Sequence, residues 1–297
     1  MKKLLSLLTM ALTISWLAPA QASPEPTVAI IDVGFNTSLF PQNIVYEVCI
    51  VSSALCPNGQ RFQEGIGAAS VDAKSPTSFA HGTNMLSVLT SVYSDAKVVA
   101  IRILGLNTNG KAGGYTIDDV NRALGWVVSN YQRLNIRAVS ISQGRVNGNC
   151  RVLPDFVTKV VSLKASDVAV IASAGNEGNR SSMAVPACIE DVISVGATDN
   201  PHPGVQANAW DPEAKPTIAR YSNGNLSTDF FTNGRFFYVS QNGTRQFSVG
   251  TSNATAAFAG WWMKNLKSSW NQTYQFAVDQ SASASNEWLK GRYLSIK

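Results

Sequence analysis

The sequence carries little charge. Only 14% of its 297 residues are Asp, Glu, Lys or Arg, against about 25% in an average soluble domain. Combined with 45% apolar residues, this excludes a disordered chain or a coiled coil and calls for one large buried core. Histidine is scarcer still, so imidazole chemistry can fall only on His81 or His202. No Gly-x-Gly-x-x-Gly or phosphate-loop motif follows an early strand, which argues against a nucleotide-binding domain. After the first 22 residues no apolar run approaches the ~18 residues of a membrane span, and no Cys is placed to carry a lipid. The net charge of +5 is too small to make nucleic acid a partner by charge alone.

What is present begins with an export signal. Lys2 and Lys3 precede an apolar run from Leu4 to Leu17, and Ala20-Gln21-Ala22 is a small-residue cleavage site before Ser23. Residues 1–22 are therefore read as a signal peptide and residues 23–297 as one domain, with no recognisable pro-segment and a net charge of +3. Four cysteines in an exported chain imply two disulfides. Three pairings are possible, and we favour Cys49 with Cys56, closing a short loop, and Cys150 with Cys188.

The pattern that follows is α/β. Val28-Ala29-Ile30-Ile31-Asp32 is an unbroken apolar run ending in a carboxylate, as in a strand covered on both faces. Similar runs recur at Lys97–Leu104, Arg137–Ile141, Val168–Ala174 and Val192–Ala197. Helical spacing fills the gaps at Thr83–Tyr93, Thr116–Tyr131 and Pro154–Ser166. The alternation predicts a doubly wound parallel sheet with helices on both faces. Phe236–Gln241 and Thr244–Val249 flank Asn242-Gly243, a hairpin signal that leads straight to Gly250-Thr251-Ser252 and a small-residue helix. Beyond Leu266 the pattern weakens: Ser281–Ser285 reads as a loop, and Trp288 as an anchor for the C-terminus.

Four residues stand at the boundaries of these elements. Asp32 ends a buried strand, before Gly34, which would let the chain turn away. His81 opens a helix in His81-Gly82-Thr83. Asn176 ends another strand after Ala174-Gly175. Ser252 opens the small-residue helix. His202, between two prolines in a polar loop, reads as a surface residue. Any one of the four alone is ordinary capping chemistry.

Taken in order, Asp, His-Gly-Thr, Asn after Ala-Gly and Gly-Thr-Ser-x-Ala on an α/β chain resemble the subtilisin-like serine proteases. The likeness extends from Val28 to about Met263 and includes Ile103-Leu104-Gly105 and Val139–Gly144. It implies Ser252 as nucleophile, His81 as general base and Asp32 as the group that orients His81. The oxyanion donors would be the Asn176 amide and the Ser252 N–H. It also implies that a polypeptide substrate lies as an added strand between Gly113-Gly114 and Ser142, Gln143 and Gly144. The side chain before the cut would enter a pocket built from Ser142–Arg145 and Ala172–Gly175.

The sequence departs from the family in several places. Val33 replaces the usual hydroxyl residue after the aspartate, Ala256 stands where a proline is usual, and Asn84-Met85-Leu86 are bulky. Thr90–Lys97 is too short and too poor in carboxylates for the calcium loop of many relatives, so no metal or other cofactor is nominated. The expected protein is an exported, probe-reactive serine endopeptidase, monomeric and without a membrane anchor, with any folding helper or inhibitor acting in trans. The alternative is a degenerate relative that keeps the groove as a peptide-binding module. The sequon Asn253-Ala254-Thr255 beside Ser252 favours bacterial export, to periplasm or medium, over a glycosylating route.

Overall fold

A computed structural model describes residues 25–146, 150, 154–201 and 216–296. The signal-peptide segment and His202 lie outside the described residues.

The early apolar runs form strands as their composition requires. β1 (Thr27–Asp32), β4 (Lys97–Arg102), β5 (Ile136–Ile141), β6 (Ala169–Ser173), β7 (Ile193–Pro201) and β8 (Phe230–Val239) run parallel, joined by β2 (Ile44–Ile50). Their spatial order is β8-β7-β6-β5-β1-β4-β2. Three antiparallel pairings finish the sheet: β3 (Phe62–Glu64) on β2, β9 (Arg245–Val249) on β8, and β10 (Ala282–Ser285) on β11 (Lys290–Tyr293). β11 itself meets β8 in parallel. The result is the doubly wound sheet expected, with antiparallel additions at its margins.

Period-two alternation divides each central strand between two cores. Val28 and Ile30 of β1, and Val98 and Ala100 of β4, enter one core together with α1 (Ala80–Val92) and α4 (Thr251–Lys264). Ala29, Ile31, Val99 and Ile101 enter the other, under α2 (Ile117–Asn130) and α3 (Pro154–Ala165). α2 starts at a capping box in which Thr116 and Asp119 satisfy each other's free N–H groups. Met85 and Leu86, the bulky residues after His81, are both buried against α4. The small residues of α4 give them that room: Ala254, Ala256, Ala257 and Ala259 are fully buried.

Three elements differ from expectation. Ser281–Ser285 is mostly strand β10, because pairing with β11 outweighs the low strand propensity of Ser and Ala. A fifth helix, α5 (Trp270–Asp279), is capped by Ser269 and stacks Trp270 on Tyr274. Trp288 is 41% exposed under the Arg180 guanidinium, and the C-terminal chain is held by buried Tyr293, Leu294 and Ile296 instead. The structure pairs Cys49 with Cys56 and Cys150 with Cys188, the favoured arrangement.

Phe258 of α4 is fully buried and touches the rings of Phe230, Trp261 and Trp262. Replacing it with Ala should cost about 3–5 kcal/mol, the usual penalty for emptying an aromatic core position. Urea unfolding of Phe258→Ala checks this; a loss under about 1 kcal/mol would contradict the packing described.

Candidate active site

The sheet order places the C-terminal ends of β4, β1, β5 and β6 side by side at one edge. Asp32 ends β1, Ser142 and Gln143 follow β5, and Asn176 follows β6, so three distant segments converge there. Doubly wound sheets generally place their sites at such an edge.

Asp32 is fully buried. A carboxylate there needs donors, and it has them: the Val33 N–H at 2.7 Å, Gln143 Nε2 at 2.8 Å, and His81 Nδ1 at 2.9 and 3.0 Å from its two oxygens. His81 comes within reach because its neighbour is Gly82. A Cβ on Gly82 would lie 2.2 Å from the Gly34 carbonyl oxygen, so the first turn of α1 can press onto the end of β1 only without a side chain there. Gly34 serves this same close approach, since a Cβ on it would meet Phe79 and Val71 at 3.0 Å.

The Asp32–His81 contact sets the imidazole's chemistry. Burial disfavours the imidazolium, but the Asp32 charge and hydrogen bond outweigh it and hold the His81 pKa above its ordinary 6.5. With Nδ1 committed to Asp32, Nε2 is the nitrogen left to exchange protons. The side chain is 35% exposed.

Ser252 is the second residue of α4, and its N–H has no partner within the helix, as for any first-turn amide. Its hydroxyl faces the Ser142 carbonyl at a long 3.4 Å, and Ser142 Oγ returns a bond to the Ser252 carbonyl at 3.2 Å. Among the described residues no hydrogen bond joins Ser252 to His81. Asp32 and His81 are thus assembled, and Ser252 is held by the end of β5.

Asn176 is exposed, and its Oδ1 accepts from both the N–H and the hydroxyl of Thr251 at 2.9 Å. That fixes the amide so that Nδ2 is the end left over, beside the start of α4. Gly175, at φ 104°, gives the turn before it, and its N–H donates to Thr251 Oγ1. The following segment is pinned by Asn223, whose Oδ1 accepts from the N–H groups of Glu177 and Asn179.

A cleft of about 400 Å³ runs between the two segments expected to flank a peptide. Val33, Leu104, Gly113, Gly114, Gly144 and Arg145 are among its walls. Tyr115 also lines it; burial, together with the Asp32 charge, raises its phenol pKa against the opposing pull of Arg145. The Gln143 side chain does not line the cleft, being buried against Asp32. Asn253 donates to Gly234 O and Ser248 O from a buried position, so a glycan on it would disrupt the hairpin, not simply cover the groove. Among the described residues no group of three or more His, Cys, Asp or Glu is placed to hold a metal.

Sequence reading missed the parts played by Thr251, Asn223 and Gln143. Thr251 was legible only as part of a motif, and Asn223 and Gln143 carry no spacing signal. Gln143 could have been suspected once β5 was placed beside β1.

Fold and residue set together define the class of subtilisin-like serine proteases. The chain belongs to the subtilase family, whose model matches residues 23–290. It is 27% identical over 158 residues to Subtilisin-like protease 3 of Pseudogymnoascus destructans, covering 52% of this chain and 34% of that protein. It is also 23% identical to a subtilisin-like protease of Coccidioides posadasii, over 66% of this chain and 44% of the relative. The chain therefore spans less than half the length of either relative. Among solved structures, a cold adapted subtilisin-like serine proteinase aligns at TM-score 0.65 and 16% identity, over 93% of this chain and 90% of the other. The nisin leader peptidase NisP from Lactococcus lactis aligns at 0.66 and 16%, over 92% and 86%. These likenesses show the fold.

The raised His81 pKa has a defined sign for stability. The charged pair adds stability that is complete below the unfolded value near 6.5 and is lost as pH rises through the higher folded value. An NMR titration of His81 should therefore show a midpoint above 6.5 that falls in Asp32→Asn; a midpoint below 6.5 in the unaltered protein would contradict the pairing.

Proposed function

We propose that the protein is an exported serine endopeptidase that cleaves polypeptides through an acyl-enzyme. The observation that carries this reading is the buried Asp32 carboxylate holding His81 by Nδ1. It sets the tautomer in which Nε2 is the basic nitrogen. A serine hydroxyl is a weak nucleophile at its own pKa and needs such a base as it attacks. In this reading Ser252 Oγ leaves its long contact with Ser142 and turns to His81 Nε2 as substrate binds. Catalytic hydrogen bonds are often loose before substrate binds.

In this mechanism Ser252 Oγ attacks the scissile carbonyl carbon while His81 Nε2 takes its proton. The oxyanion is met by Asn176 Nδ2 and the Ser252 N–H. Asp32 stabilises the imidazolium without accepting its proton. His81 then protonates the leaving amine, and water hydrolyses the ester by the same route in reverse. The substrate lies extended along the cleft between Gly113–Tyr115 and Gly144-Arg145, held mainly by main-chain hydrogen bonds that tolerate many sequences. Broad endopeptidase action fits this groove; the solved neighbours include a leader peptidase and a cold adapted subtilisin-like serine proteinase, so they do not choose a substrate.

Export is supported by the amino-terminal pattern and by the two disulfides, which persist in oxidising compartments. No helix among the described residues is long and apolar enough to cross a membrane. Burial of the Asn253 side chain supports a route without glycosylation at that residue.

One observation favours a second reading, a peptide-binding relative that does not cleave: the Ser252 hydroxyl is bonded to Ser142 and not to His81. Hydrolysis of an unfolded protein substrate separates the two. Cleavage should occur, and Asn176→Ala should lower kcat by about 10²–10³ with the fold intact. Tight binding of the substrate without turnover would establish the binding module, and normal turnover by Asn176→Ala would remove Asn176 from the oxyanion site.

A further inference from the structure

Gln143 contacts both members of the Asp32–His81 pair. Its side chain is buried, and Nε2 lies 2.8 Å from Asp32 Oδ1 and 2.9 Å from His81 Nδ1. An amide nitrogen is only a donor, and the imidazole Nδ1 carries its own proton toward Asp32, so Nε2 donates to the carboxylate and not to the ring. The other donors to Asp32 are His81 and the main-chain N–H of Val33, whose isopropyl group adds none. The buried carboxylate thus depends on a side chain from β5 for a charge-assisted bond.

We infer that Gln143 is a positioning residue: its amide fixes the Asp32 carboxylate, and through it the His81 ring, instead of contacting substrate. The inference rests on the hydrolase reading above. With the Val33 N–H, Gln143 Nε2 and His81 Nδ1 all meeting Oδ1, the carboxylate cannot rotate about its Cβ–Cγ bond without breaking a charge-assisted bond. The Nδ1 face of the imidazole is therefore held in one plane as Nε2 gains and loses its proton. The placement is encoded by topology, since β5 and β1 pair in parallel from Val28↔Ala138 to Ile31↔Ile141, bringing the residues just beyond them together.

Asp32 is the charged group that acts on His81, while in the neighbouring cleft Asp32 and Arg145 act in opposite directions on Tyr115. Removing the Gln143 donor leaves the Asp32 charge less shared and a stronger partner for the imidazolium, so the His81 midpoint should rise. Gln143→Leu and, as a second apolar replacement, Gln143→Met should each lower kcat by about tenfold, the size of one hydrogen bond to a charged group, with KM within about twofold. Both should move the acid limb of the kcat profile, and the His81 NMR midpoint, to higher pH. Val33→Ser added to Gln143→Leu, which offers the carboxylate a hydroxyl, should recover part of each change.

Unchanged kcat and midpoint in folded Gln143→Leu or Gln143→Met would overturn the inference. So would a rise in KM at constant kcat, which would make Gln143 a groove residue. So would a fall in kcat with the His81 midpoint unmoved, which would make its role merely structural. Absence of turnover in the unaltered protein would instead sink the hydrolase reading, while the NMR midpoints would still test the contact with Asp32.

Discussion

Burying the Asp32 carboxylate is the constraint on which the rest of the site depends. An anion at 0% exposure is tolerable only with donors on every side, and those donors come from the Val33 main chain, from Gln143 after β5 and from His81 at the head of α1. The Gln143 and His81 donors tie β5 and α1 to the end of β1. Gly82 and Gly34 belong to the same requirement, because only a bare backbone lets the helix start come near enough to the strand end. An apolar core alone would leave these three segments free to settle a few tenths of an ångström differently. The carboxylate removes that freedom.

The second organising element is α4. Its small residues let it lie deep in the core beside α1, and its first turn stands at the sheet edge where β5 and β6 end. There it presents the Ser252 N–H and hydroxyl, while the N–H and hydroxyl of Thr251 orient the Asn176 amide. The nucleophile and both oxyanion donors of the proposed mechanism are therefore referenced to one helix end. The general base and its orienting acid are referenced to β1. Ser142, bonded to Ser252 in both directions, and Gln143, bonded to Asp32, join the two halves through consecutive residues of one segment.

Much of this was legible locally. Buried parallel strands read as apolar runs because both faces are covered, and Asp32, His81, Asn176 and Ser252 fall at boundaries marked by Gly or by small-residue runs. β2 escaped because Tyr46 and Glu47 interrupt its apolar pattern, and its first residues lie only partly buried at the margin of the sheet. α5 escaped because just Trp270, Thr273 and Ala277 are buried, too few for a clear periodic signal. β10 is made of Ser and Ala, and only its partner makes it a strand. Gln143 was legible as a member of the groove segment but not as a ligand of Asp32. That contact depends on β5 lying beside β1, a fact of strand order that no local spacing carries.

The most direct measurement of the central claim, that Asp32, His81 and Ser252 form one reactive unit, is labelling with a fluorophosphonate followed by peptide mass spectrometry. A single phosphonyl adduct on Ser252 that is absent in Ser252→Ala and strongly slowed in His81→Ala is the predicted result. A folded, unlabelled protein, or an adduct that forms equally fast without His81, would contradict it.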